Sequence, residues 1–170
     1  MPNLLTAALA ALVPILLGFI WYHPNVFGKA WMKESGLTEE SLKGANMIKI
    51  LGISFLCCFF IAFSVNFFVI HQYGLYALLA GDPELYTVGS PAYLELKELL
   101  AKYGGNFRTF KHGALHGLIV GLLFVFPIIQ VNALFERKSF KYVAIHAGFW
   151  ILSLVIMGAI ICAYGLDYPA

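Results

Sequence analysis

The chain has 170 residues, of which 61% are hydrophobic and only 12% charged, and its formal net charge is +2. A soluble domain carries about 25% charged residues, so this composition excludes a secreted disulfide scaffold, a disordered tail and a soluble Rossmann or barrel enzyme. The small net charge gives no reason to expect a nucleic-acid partner, and the class that remains is an all-α integral membrane protein, a single domain over 1–170 with the lipid bilayer as its first partner.

A membrane-crossing helix needs about 20 mostly apolar residues. The first is expected at about 4–22, ahead of the first formal charge at Lys29. Ala8-Leu9-Ala10 has the look of a signal-cleavage site, but Met1-Pro2-Asn3 offers no basic residue before it, so the helix is expected to be retained. Pro24 closes that helix, and Phe27, Trp31 and Met32 then alternate with Lys29 and Lys33 as in an interfacial segment. Thr38 is placed to cap a short helix with Glu39 and Glu40 in its first turn.

The second span is expected at about 47–71. Residues 50–80 carry no formal charge, and as one helix they would run about 46 Å against a hydrocarbon core of ~30 Å, so a break is expected at Tyr73-Gly74. In the long second loop, Ser90-Pro91 should begin a helix whose Leu96, Leu99, Leu100 and Tyr103 share a face. Its expected place is on the membrane surface or over the bundle, as a lid. The third and fourth spans, about 112–135 and 142–165, are joined by a tight turn through Glu136-Arg137-Lys138. The runs are too long and do not alternate as barrel strands would. Four spans in two hairpins put both termini on one side. The first and third loops hold seven Lys and Arg against four on the other side, which places those loops in the cytoplasm and the termini outside.

Several polar or small residues fall inside the spans. Gly113, Gly117 and Gly121 form a stripe that lets a neighbouring helix approach closely. His112 and His116 flank it at helical spacing, and His71 should lie at a similar depth, with Asn66 about 7 Å deeper. Three histidines at one level can hold a metal or relay protons, although interfacial histidines bonded to water or backbone is the preferred reading. At the opposite end, Asn132 lies nearly on the face of Gly121, eleven residues earlier, and His146 begins a stripe with Trp150 and Ser153. An interhelical Asn132–His146 hydrogen bond of about 0.6–2 kcal/mol is expected, as structural glue or as one face of a ligand pocket. His71 paired with His112 or His116 is the one geometry that could ligate haem, with no CxxCH present. The GxSxG, P-loop, GxGxxG and HExxH patterns are absent, and no cofactor is expected. Cys57, Cys58 and Cys162 read as packing residues.

Trp21-Tyr22-His23-Pro24 with Phe27-Gly28-Lys29-Ala30-Trp31-Met32, then Asn132 to Arg137 (which includes Glu136), Ala147-Gly148, Ser153 and Met157-Gly158-Ala159-Ile160, resemble a bacterial membrane family called domain of unknown function 1761. The resemblance implies a small four-helix protein of the bacterial cytoplasmic (inner) membrane, with no known activity. His23, His146 and Trp150 stand where that family commonly has Ser, Asn and His. The function expected from the glycine stripe is non-enzymatic: association as a homo-oligomer or as an accessory subunit of another membrane protein. The alternative is a small transporter or channel using the His and Asn residues, and after it a haem- or metal-binding protein.

Overall fold

Each apolar run begins on a side chain that can cap a helix. Asn3, Asn46, Thr109 and Ser139 each accept a hydrogen bond from a backbone N–H three residues on, satisfying donors that the first turn leaves open. The computed structural model describes residues 2–166. Its long helices are α1 (Leu4–Trp21), α4 (Met47–Val69), α7 (Phe110–Val120) continued by α8 (Phe126–Phe135), and α9 (Phe140–Tyr164). All four runs are long and apolar enough to cross a membrane. The third and fourth start two residues earlier than expected because Thr109 and Ser139 cap them, leaving Lys111 and Lys141 in the first turns, where long stems can reach the interface.

Helix α9 is the hub, packing against α1, α4, α7 and α8. The common core sets Ala7, Ala10 and Ala11 of α1 and Ala62 and Val65 of α4 against Leu154, Met157 and Ile161 of α9. Small side chains dominate because helices in lipid associate through close van der Waals packing, without a hydrophobic drive between them. At one end, Thr6 Oγ1 donates to the Tyr164 carbonyl at 3.2 Å and the Asn3 N–H to Gly165 at 2.8 Å, tying α1 to the end of α9.

The glycine stripe faces α9 of the same chain. A Cβ on Gly113 would strike the carbonyl of Gly158, and one on Gly117 the carbonyl of Leu154; on Gly121 it would lie 2.9 Å from the Ile151 side chain. Gly158 returns the fit from α9, where a Cβ would meet the Gly113 carbonyl.

The third span is not one α-helix. Residues Gly121–Val125 form a π-turn, in which the N–H of Phe126 bonds back to the Gly121 carbonyl. Pro127 follows at once; it has no N–H, and its ring collides with the carbonyl four residues back. The π-turn inserts one residue, so the face continuing from Gly121 falls on Ala133, which is buried against Val143 and Ala147, while Asn132 is exposed. This corrects the expected alignment of Asn132 with Gly121.

The second span also ends early. Ile70 is extended (φ −111°, ψ 96°), and α5 (Tyr73–Leu79) resumes through the expected break at Tyr73-Gly74. A glycine inside a helix costs only about 1 kcal/mol, and the partners of the 70–72 turn decide the matter: Gln72 Nε2 donates to the Asn106 carbonyl at 2.8 Å, and His71 meets His112.

In the first connection, a π-turn at Pro24–Gly28 leads into α2 (Lys29–Ser35), and α3 (Glu39–Leu42) carries a Thr38–Ser41 capping box. Lys138 Nζ donates to the Ser35 carbonyl at 3.3 Å, and the Ser139 hydroxyl bonds the Glu34 carboxylate. Helix α6 (Pro91–Tyr103) starts at Ser90, whose hydroxyl accepts from the Tyr93 N–H. Its Ala92 and Leu96 pack with Leu85 and the α5 side chains Leu75, Tyr76 and Leu79, a core separate from that of the bundle. It covers its own hairpin partner, then, and not the bundle.

Candidate functional site

The end of the molecule that carries α5 and α6 gathers the three outer histidines. His112 and His116 lie one turn apart on α7, and His71 reaches them from the turn that ends α4. One ring nitrogen from each lies within 4.8 Å of the other two. His71 Nε2 and His112 Nε2 are 2.8 Å apart and share a hydrogen bond. Ring centroids are 4.9 Å apart for His71–His112 and His71–His116, and 4.5 Å for His112–His116. His71 is exposed and the other two are half-buried, so the cluster is open on the His71 side.

Phe107 covers one side, its ring 5.0 Å from His112 and 5.9 Å from His71. Its backbone has φ 62°, a left-handed conformation that costs a bulky residue about 1–3 kcal/mol. The carbonyl of Phe107 accepts from Thr109 N–H at 2.9 Å and from Cys162 Sγ at 3.2 Å. Cys162 also reaches the Val69 carbonyl at 3.3 Å, joining α9 to the ends of α4 and α7 beneath the histidines. Sequence reasoning passed over Phe107, and no local signal marks it.

Three neutral imidazoles suit zinc, copper, nickel or iron. Around a tetrahedral ion at ~2.1 Å ligand nitrogens lie about 3.4 Å apart, so His71, His112 and His116 would hold such an ion after side-chain shifts of about an ångström. As they stand, the His71 and His112 nitrogens are 2.8 Å apart and have no macrocycle's width between them.

The opposite end has a second polar group. Asn132, Glu136, Tyr142, His146 and Trp150 line a small cavity of about 160 Å³. His146 Nδ1 lies 3.5 Å from the Tyr22 hydroxyl, at the long limit of a hydrogen bond, and its buried Nε2 has no hydrogen-bond partner among the described residues. The Asn132–His146 bond expected from the sequence is therefore not made, although both residues line this cavity.

The other polar residues serve their own helices. Ser153 donates to the Phe149 carbonyl at 2.8 Å, and Asn66 Nδ2 to the Ala62 and Phe63 carbonyls at 3.0 and 3.2 Å. Both are fully buried, and Asn66, near Gly165, is at the other end of the bundle from Asn132 and His146.

The aromatic motif after α1 clasps that helix to α9. Trp21 Nε1 donates to the Ile145 carbonyl at 3.1 Å, Phe27 packs on Trp21 at 4.5 Å, and Trp31 meets Tyr22 edge-on at 5.2 Å. Pro24 opens the π-turn, and a Cβ on Gly28 would strike the Tyr22 carbonyl. His23 caps that turn, its Nδ1 accepting from the Asn25 N–H at 3.2 Å. Arg137, with φ 55°, turns the chain from α8 into α9.

Fold and site together define a small α-helical membrane protein with a histidine cluster at one end. The chain belongs to the family described as protein of unknown function (DUF1761), whose profile matches residues 5–162. Neither a curated protein nor a solved structure matches it significantly.

Proposed function

We propose that this membrane protein binds a divalent transition-metal ion through His71, His112 and His116. The observation that carries the reading is the convergence of three imidazole nitrogens within 4.8 Å of one another, from two separate chain segments. An ion with three protein nitrogens keeps a fourth position for water or another ligand, here on the exposed side of His71. The test is metal analysis of detergent-purified protein loaded with zinc and washed. About one zinc per chain is expected, falling to background in His71→Ala and His116→Ala. Equal zinc in native and variant proteins contradicts the site.

The association reading loses the surface that suggested it, since α9 of the same chain fills the glycine groove. A homo-oligomer or an accessory-subunit contact would use another face, such as the lipid-facing side of α4.

The Lys and Arg split supports residues 22–46 and 136–139 in the cytoplasm. The metal site then faces outward. Cysteines in place of the exposed Lys43 and Val88, with the native cysteines removed, are expected to label from opposite sides. Labelling of position 43 by an impermeant reagent in intact cells inverts the orientation.

A further inference from the structure

A groove of about 520 Å³ runs between α1 and α4 and is closed behind by α9, with Phe149 and Trp150 at its back. Its wall from α1 runs from Tyr22 to Pro14, and its wall from α4 from Met47 to Cys58. At 1.5 Å per residue these walls are about 12 and 16 Å deep, half of a ~30 Å hydrocarbon core. The groove is thus one leaflet deep.

It exists because Pro14, Gly18 and Ser54 present little bulk to it. A Cβ on Gly18 would have only the Phe149 ring nearby, at 3.9 Å, so this glycine leaves space where Gly113 and Gly117 leave none. The lining is almost wholly apolar, which gives water too few partners to occupy it. The mouth lies at the helix ends, beside Tyr22, Trp31 and Met47, the level of lipid headgroups.

The charge at that end is one-sided. Residues 22–49 and 136–141 hold seven lysines and arginines against four carboxylates. Two of the lysines are paired, Lys43 with Glu40 and Lys141 with Glu34. Lys29, Lys33 and Lys49 form no ion pair among the described residues and are exposed.

We infer that this groove is a binding site for an anionic glycerophospholipid, with one acyl chain between α1 and α4 and the phosphate at the lysine rim. Depth sets the tail to a single leaflet, and the rim selects charge, a lysine near a membrane surface favouring anionic lipid about fivefold. The protein carries its own probe. Trp31 and Trp150 line the groove and Trp21 packs beside it, which accounts for all three tryptophans.

The test places the full chain in phosphatidylcholine vesicles that contain either brominated-chain phosphatidylglycerol or brominated-chain phosphatidylcholine, and reads quenching of tryptophan fluorescence. Half-quenching is expected at a mole fraction of the anionic lipid lower by about fivefold or more. Gly18→Leu, which fills the groove, should bring the two lipids together, and so should Lys29→Gln, Lys33→Gln and Lys49→Gln combined, changed only at exposed positions. Equal quenching of the native protein by both lipids overturns the proposal, as does a preference that survives in the lysine triple variant.

Discussion

Two seams of this bundle use the same kind of residue to opposite ends. Between α7 and α9, glycines on both helices clear the crossing so closely that a Cβ at Gly113, Gly117 or Gly158 would strike a carbonyl of the other helix. Between α1 and α4, Gly18 and Pro14 also lack bulk, but nothing on the facing helix moves in, and a groove remains. A small residue in a membrane helix therefore does not by itself make a contact. What decides is whether the opposing helix is small at the same level, as Gly158 is opposite Gly113 and Gly117.

The largest expected effect breaks the tight seam. Gly117→Leu puts a side chain into the Leu154 carbonyl and the α9 backbone, and a loss of about 3 kcal/mol or more is expected. Thermal unfolding in detergent checks it, and a native-like melting temperature would refute the close packing. The opposite seam should tolerate the same class of change: Gly18→Leu is expected to cost less than about 1 kcal/mol, because the groove has room. If both variants melt alike, the contrast between the seams is false. Of similar size is Ser153→Ala, at about 0.5–1 kcal/mol, since that hydroxyl bonds only its own helix at Phe149. The smallest is Leu118→Ile, on the lipid side of α7, with a shift in melting temperature within error.

The two ends of the bundle carry a similar contrast in chemistry. Protons compete with a metal for imidazole, so zinc retention should fall as the pH is lowered. Removing His146 at the other end should leave that profile unchanged. An equilibrium titration of native and His146→Ala protein from pH 5 to pH 8 checks both statements.

The spans were legible because lipid imposes length and apolarity on any crossing helix, and Thr38 and Ser90-Pro91 announced their helices through local capping chemistry. Two features were hidden because their causes are not local. The turn at Ile70 depends on Gln72 finding the carbonyl of Asn106, 34 residues away, and on His71 finding His112. The π-turn had a visible cause in Pro127, yet straight helical counting from Gly121 put Asn132 where Ala133 lies. The histidine trio was readable as three residues at one depth that approach one another across the second and third spans, while the turn from which His71 reaches the other two was not. Gly158 was visible as part of a motif, but its place opposite Gly113 follows only from how α7 and α9 cross.

The measurement that bears most directly on the metal site is X-ray absorption at the zinc edge of the loaded protein. Three imidazole nitrogens at about 2.0 Å are expected, with one oxygen scatterer from water in the open position, and one imidazole fewer in His71→Ala. A shell of oxygen or sulfur scatterers without imidazole, or a spectrum that His71→Ala leaves unchanged, would contradict the assignment.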